Sequence, residues 1–203
     1  LKIIEDLLSK NINFNKEQVI SSLSSCTNFY LHYQGEDITN LQKRYGVIVQ
    51  KLTKHVYPEF HKKIFSNTQP KIIKVGFISS YFCEHIVTKL FKNWIINLDK
   101  DKFKTFVYHM GLTNDHVTNV IRDNCYNFFH ETNIDRISRK IFSDEIDILI
   151  FLDIGMEPKM QILGSLKLAK FQCCTWGVPV TTGLDSIDYF LTSELMETDF
   201  AQK

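Results

Sequence analysis

Short apolar runs alternate with longer amphipathic segments from Lys71 onward, and this alternation restricts the fold of the chain more than any other feature. The run IDILIFLDIG is almost continuously apolar, as expected of a parallel strand that is covered on both faces. Between such runs, apolar residues recur at helical spacing. The repeated order of strand and helix predicts an α/β fold in which helices cover both faces of a parallel sheet.

The apolar runs also predict the positions of the individual strands. We expect strands at Ile72–Ile78, Thr105–His109, Ile146–Leu152 and Phe171–Thr175, and shorter ones in NFFHE and SIDYFLTS. Amphipathic segments lie between them, and Asn133 is predicted to cap one of these helices. The predicted fold class is therefore a Rossmann-like parallel sheet with flanking helices.

The chain before this sheet has a helical pattern. IIEDLLSK places its apolar residues on one helical face, and Asn15 is predicted to cap a second helix through KEQVISSLSS. A longer helix is predicted to begin at Asp37 or Thr39, and FSNTQP to form a linker. We therefore expect a helical region over residues 1–65 and a Rossmann-like lobe over residues 71–203.

Composition and charge narrow the range of partners. The chain is 44% apolar and 23% charged, with a net charge of +1, so it can form a core but offers no strong field to nucleic acid or anionic lipid. No apolar run is long enough to span a bilayer, and no segment resembles a signal peptide. The five cysteines are odd in number and lack a C-x-x-C pair, which predicts free thiols in a cytoplasmic protein.

Three polar or glycine-bearing loops follow predicted strands, namely SSYFCEH, DIGMEPK and WGVPVTTGLDS. The carboxyl ends of parallel strands share one edge of the sheet, where ligands bind. The third loop brings Gly177, Pro179 and Gly183 close together, although the whole chain has only 8 glycines and 4 prolines. Such clustering indicates a backbone that follows an unusual path. The edge formed by these loops is the candidate ligand site.

His85 is the titratable residue of most interest at this edge. It is predicted to lie just before a helix, whose positive end disfavours the imidazolium form and lowers the pKa of the side chain. A neutral imidazole can accept a proton from a hydroxyl group. The alternative is that His85 only caps the helix or forms hydrogen bonds within its loop.

The remaining candidate binding residues lie in the second and third loops: Asp153, Gly155, Pro179, Thr181, Thr182 and Gly183. Asp153 ends an apolar run, where its carboxyl group can either orient a base or an acceptor or cap the following turn. Thr181, Thr182 and Gly183 can either donate hydrogen bonds to an anionic or sugar ligand or form a tight turn into the last strand.

Motifs that bind phosphate or metal by themselves are absent from the sequence. Neither G-x-G-x-x-G nor G-x-x-x-x-G-K-[ST] occurs, so these residues contain no recognisable phosphate-binding loop. Neither H-E-x-x-H nor an EF-hand loop occurs. We therefore predict no metal site and no bound cofactor.

Three ordered blocks of the sequence carry a family resemblance: KIIKVGFISSYFCEH, IDILIFLDIGMEPKMQILGSLKLAKFQ and WGVPVTTGLDSIDYFLTSELMET. They resemble bacterial SPINDLY-like glycosyltransferases, which are related to protein O-linked N-acetylglucosamine transferase and to enzymes that glucosylate adhesin asparagines. The resemblance runs from Lys71 to Thr198 and, more weakly, through NFYLHYQGED. It implies the GT-B fold, in which two Rossmann-like lobes enclose the active site.

The resemblance also implies roles for particular residues. His85 matches a family histidine that is proposed to act as the base or to contact the acceptor. The loop containing Thr181, Thr182 and Gly183 is implied to bend into the cleft beside donor and acceptor. Val178 departs from the pattern, because related sequences commonly have histidine there, so a role for that imidazole does not carry over.

The function implied by the resemblance is inverting transfer of a sugar from a nucleotide diphosphate, such as UDP-GlcNAc or UDP-glucose, to a protein side chain. The expected partners are this protein acceptor, the nucleotide sugar and a second lobe after SELMETDFAQK, so that the 203 residues form an acceptor-side lobe that is inactive alone. Donors of N-acetylglucosamine, glucose or fucose and acceptors of serine, threonine or asparagine stay open. The alternatives are a non-catalytic lobe that binds a protein partner or an active transferase, and a transferase that acts on a glycan or small molecule.

Overall fold

A computed structural model describes residues 15–25, 27–61 and 71–198. Its six strands are β1 (Ile73–Ser79), β2 (Phe103–His109), β3 (Asn127–His130), β4 (Ile148–Phe151), β5 (Phe171–Thr175) and β6 (Tyr189–Leu191). They form one parallel sheet in the order β3-β2-β1-β4-β5-β6. The Rossmann-like parallel sheet predicted from the sequence is confirmed.

Six α-helices accompany these strands in the described part of the chain. They are α1 (Lys16–Ser24), α2 (Thr39–Val56), α3 (Ile86–Ile96), α4 (His116–Asn124), α5 (Ile134–Asp144) and α6 (Pro158–Ser165). Both predicted caps are present, since the Asn15 side chain accepts a hydrogen bond from Gln18 N at 2.8 Å and Asn133 accepts one from Arg136 N at 3.1 Å. The predicted helix in IIEDLLSK, the predicted linker FSNTQP and Cys26 lie outside the described residues.

The two faces of the sheet are covered by different helices. Successive residues of β4 point to opposite faces of the sheet, so that Leu149 joins the core beneath α5 and α6 while Ile150 joins the core beneath α3 and α4. Both side chains are buried, which explains why this strand is continuously apolar in the sequence. A buried side chain of this size contributes on the order of 1.5–3 kcal/mol to folding.

The two N-terminal helices extend the core on the α5 and α6 face. Helices α1 and α2 pack against α6, and Val19 and Val49 are buried in the same cluster as the sheet residues. A buried hydrogen bond of 2.9 Å from Ser165 Oγ to Thr53 Oγ1 joins α6 to α2. The N-terminal helices therefore support the helix that follows β4.

Two further predictions concern the cysteines and the membrane. Cys83, Cys125, Cys173 and Cys174 are free thiols, as predicted, and burial raises the pKa of each.

Across residues 15–25, 27–61 and 71–198, no helix has the length and apolar character needed to cross a membrane.

Candidate functional site

The strand order reverses between β1 and β4. The chain leaves β1 through α3 toward β2 on one side and leaves β4 through α6 toward β5 on the other. A crevice opens at the carboxyl ends of the strands at such a point, and open α/β sheets bind ligands there. The loops over residues 80–85 and 152–157 lie at this position and are called the switch-point loops below.

Asp153 joins the two switch-point loops from a fully buried position. Its Oδ2 atom accepts a hydrogen bond from Ser80 N at 3.1 Å. Among the described residues, the buried Oδ1 atom has no hydrogen-bond partner. Burial raises the pKa of Asp153 to about 7, against the lowering effect of the Ser80 N–H bond and of the neighbouring Ser79 hydroxyl. This carboxyl group can therefore gain or lose a proton near neutral pH.

Tyr81 forms a second connection between the switch-point loops. Its hydroxyl group donates a hydrogen bond to Glu157 Oε1 at 3.1 Å, and its ring stacks on the His85 imidazole with centroids 4.1 Å apart at 15°. Burial, followed by the charge of Glu157, raises the pKa of Tyr81. The phenol therefore stays protonated and acts as a donor at neutral pH.

His85 caps α3 and also lines a cavity. Its Nδ1 atom accepts a hydrogen bond from Val87 N at 3.2 Å, so the helix-capping alternative is observed. Burial lowers the pKa of His85, which favours the neutral imidazole. Because Nδ1 is an acceptor here, the proton of the neutral ring lies on Nε2. In this conformation Nε2 is a hydrogen-bond donor. His85 is therefore better suited to donate a hydrogen bond to a ligand oxygen than to remove a proton from a ligand.

The cavity beside His85 has a volume of about 500 Å³ and lies between the beginnings of α3 and α4. Lys89, Lys92 and His116 also line it, as does the exposed Glu84. This lining is rich in hydrogen-bond donors, and it suits a polar ligand that carries oxygen acceptors.

Glu84, Asp115 and His116 form the one group of potential metal ligands found among the described residues, with ligand atoms within 4.8 Å of one another. The Asp115 carboxylate already accepts backbone hydrogen bonds from Val117, Thr118 and Glu84. These bonds explain the position of Asp115 as the cap of α4 without a metal ion. The predicted absence of a metal site stays a prediction.

Thr181 and Thr182 line a different cavity from His85. This second cavity has a volume of about 360 Å³ and also includes Pro179. Thr181 Oγ1 accepts a hydrogen bond from Gly183 N, and Thr182 Oγ1 accepts one from Leu184 N, both at 3.2 Å. The predicted tight turn is therefore present, and the structure does not bring these hydroxyl groups together with His85.

Two glycines of the candidate set are explained by contacts with the N-terminal region. Gly183 has φ +69°, and a Cβ atom there would lie 2.1 Å from the Gln42 carbonyl oxygen. The glycine thus lets its loop approach α2, and the expectation that the loop bends into a cleft stays a prediction. Gly155 has φ +102°, and its carbonyl oxygen accepts a hydrogen bond from Thr27 Oγ1 at 2.7 Å.

The sequence analysis missed Ser79, Tyr81 and Glu157 as site residues. All three lie in or beside SSYFCEH and DIGMEPK, the loops that were identified as the ligand edge. The available signal was that these loops follow neighbouring strands of the predicted sheet, so their polar side chains could be expected to meet. No sequence pattern gives the stacking of Tyr81 on His85.

The parallel sheet, its two helical layers and the polar switch-point loops define a Rossmann-like lobe of the kind that binds ligands at the carboxyl ends of its strands. The model of glycosyl transferase family 41 matches residues 32–199, and the chain belongs to this family. The predicted resemblance to the O-linked N-acetylglucosamine transferase family is thereby confirmed.

A solved structure supports the fold. The chain is similar to a mutant O-GlcNAc transferase of Thermobaculum terrenum, with a TM-score of 0.59 and 16% sequence identity. The similarity covers 85% of this chain and 37% of the transferase, so the chain spans well under half the length of that enzyme. A search of curated proteins gives no significant match. At this level of identity, the likeness shows a shared fold.

Proposed function

We propose that this chain is one lobe of an enzyme that transfers a sugar from a nucleotide diphosphate to a protein side chain. The observation that carries the proposal is the match to glycosyl transferase family 41 over residues 32–199. The donor-rich cavity beside His85, at the carboxyl edge of the sheet, gives this lobe a place for an acceptor group.

In the proposed reaction, an oxygen or nitrogen atom of the acceptor attacks the anomeric carbon of the donor sugar. The bond from that carbon to the diphosphate oxygen breaks with inversion, and the proton of the acceptor passes to the departing diphosphate or to water. We propose that the Nε2–H group of His85 orients the acceptor, since Nδ1 is occupied by Val87 N. Correct orientation of two reactants lowers the barrier by reducing the entropy that is lost at the transition state.

Asp153 is proposed to support this site from within. The hydrogen bond that it accepts from Ser80 N fixes the beginning of the loop that leads to His85. The diphosphate of the donor is proposed to bind mainly outside residues 1–203, where helix N-termini and basic side chains can neutralise it in place of a metal ion. Thr181 and Thr182 are retained as a proposed contact for donor phosphate or sugar at the second cavity.

UDP-GlcNAc and UDP-glucose are the proposed donors, and serine, threonine or asparagine the proposed acceptor residues. The experiment is to incubate the intact enzyme with UDP-GlcNAc, UDP-glucose or GDP-fucose and candidate acceptor proteins, and to measure the mass of each protein. We expect one donor to add a single N-acetylhexosamine or hexose to an acceptor protein. Transfer to glycans alone, or no transfer with any donor, would contradict the proposal, and no transfer would favour a non-catalytic binding lobe.

A further inference from the structure

Tyr81 occupies a position between the two switch-point loops that the proposed reaction does not yet explain. Its backbone is fixed on both sides, because Tyr81 N donates to Ser79 Oγ at 2.9 Å and the Tyr81 carbonyl oxygen accepts from Thr88 Oγ1. Its side chain is only partly buried and reaches across to Glu157 in the other loop. Tyr81 is thus a rigid residue that presents one ring face to His85.

The His85 imidazole is restrained in two independent ways. The hydrogen bond from Val87 N fixes the position of Nδ1, but a single bond still permits the ring to rotate about its direction. The stacking contact with Tyr81, at 4.1 Å and 15°, fixes the plane of the ring. Together the two contacts determine the direction of the Nε2–H bond.

Glu157 in turn restrains Tyr81. Its Oε1 atom accepts the hydrogen bond from the Tyr81 hydroxyl group at 3.1 Å, and it precedes α6 without forming a side-chain cap of that helix. The side chain is therefore not required for the beginning of α6. Its observed bond is to Tyr81, 76 positions earlier in the chain.

We propose that Tyr81 is a positioning residue that holds the His85 imidazole in one orientation, and that Glu157 anchors Tyr81. This role rests on the proposed function, in which His85 contacts the acceptor group. Tyr81 and Glu157 would set the direction in which the His85 Nε2–H bond points toward that group. Lys89, Lys92 and His116, which line the same cavity, provide hydrogen-bond donors, whereas the ring that stacks on His85 is that of Tyr81.

The first test measures His85 directly by ¹⁵N NMR in the intact enzyme. The variants are Tyr81→Phe, which keeps the ring, Tyr81→Leu, which removes it, and Glu157→Ala, which removes only the anchor. Tyr126→Leu is the control, because Tyr126 is an exposed tyrosine beside β3. In the wild type we expect the Nε2–H tautomer and a lowered pKa of His85, since burial lowers it.

In Tyr81→Leu we expect the pKa of His85 to rise toward its ordinary value, since the tyrosine ring no longer covers the imidazole. Tyr126→Leu should match the wild type. Tyr81→Phe and Glu157→Ala each remove the hydrogen bond between Tyr81 and Glu157, so both should give the same smaller change in the direction of Tyr81→Leu. An unchanged pKa of His85 in folded Tyr81→Leu would overturn the proposal. If that variant does not fold, an unchanged His85 in Glu157→Ala would overturn the anchoring role of Glu157.

The second test is kinetic and uses the sugar-transfer reaction. Tyr81→Leu should lower kcat about 10-fold with little change in KM, since small misplacements of a reacting group can cost on the order of 10²-fold. The double variant Tyr81→Leu/His85→Ala should be no slower than His85→Ala, because the two residues act together. Additive losses would overturn the proposal. Wild-type turnover of His85→Ala would instead contradict the proposed function, while the NMR measurement still decides whether Tyr81 positions the ring.

Discussion

Asp153 shows how one buried carboxyl group affects both the site and stability. Burial raises its pKa to about 7, so the folded state retains a proton that the unfolded chain loses at lower pH. Stability from this group is therefore fully present below its unfolded pKa and is lost as the pH rises through the folded pKa near 7. The slope approaches about 1.4 kcal/mol per pH unit between the two pKa values.

Asp153→Asn removes this titration, because the carboxamide stays neutral. The wild type loses stability from this group as the pH rises from acidic values to above 7. We therefore expect the free energy of unfolding of the variant, minus that of the wild type, to increase over this range. Urea denaturation at several pH values measures the difference. If the free energies of unfolding of the variant and the wild type change equally with pH across this range, the carboxyl group does not hold a proton in the folded state.

Gly183 and Gly35 are a matched pair for testing the close approach of the threonine loop to α2. Both have positive φ, at +69° and +77°, but a Cβ atom at Gly183 would lie 2.1 Å from the Gln42 carbonyl oxygen, whereas Gly35 has open space. Gly35→Ala should cost about 1–2 kcal/mol for the left-handed backbone. Gly183→Ala should cost about 1–3 kcal/mol more through overpacking. Equal losses in chemical denaturation would argue against the close contact.

Single residues of the site were only partly predictable. The sequence identified His85 and Asp153 because each ends or follows an apolar run at the ligand edge. It could not reveal the Tyr81–Glu157 bond, because the partners lie 76 positions apart and meet only when the loops fold together. Thr181 and Thr182 were expected either to donate hydrogen bonds to a ligand or to form a tight turn. The structure shows the turn, in which each hydroxyl oxygen accepts a backbone hydrogen bond, and donation to a ligand stays a prediction.

At the scale of elements, hydrophobic pattern and capping residues predicted most of the sheet and helices. The predicted strand Phe171–Thr175 has the same bounds as β5, whereas Ile146–Leu152 contains only the shorter β4. The β4 ladder with β1 begins at the pair Val75 and Ile148. Just before that pair, the Asp147 carboxylate accepts the hydrogen bond from Lys74 N. A side chain therefore takes the place of a backbone partner, which an apolar pattern cannot show.

The cap of α5 gives a prediction at this scale. The Asn133 side chain accepts the Arg136 N–H bond, so Asn133→Ala leaves an N-terminal donor of the helix unsatisfied. We expect a loss of about 1 kcal/mol in the free energy of unfolding, measured by chemical denaturation. Asn133→Ser should retain most of the stability, since serine also caps helices well. Identical losses in the two variants would show that the side-chain bond does not stabilise α5.

At the scale of the whole molecule, the order of strands and helices along the chain predicted the fold. The reversal of strand order between β1 and β4, where the switch-point loops lie, belongs to that fold. The packing of α1 and α2 on α6 could not be read from the sequence, because helical periodicity gives the apolar face of a helix but not its partner. This packing makes the N-terminal helices part of the support for the loop after β4.

The most direct test of the account is the turnover of the intact enzyme after substitution of His85, with His55 as control. His55 is an exposed histidine near the end of α2, away from both switch-point loops in the chain. For sugar transfer to a protein acceptor, we expect His85→Ala to lower kcat on the order of 10²-fold or more, as for other groups that act at the transition state. His55→Ala should keep wild-type turnover. A folded His85→Ala enzyme with wild-type kcat would contradict the placement of the chemistry at the switch point.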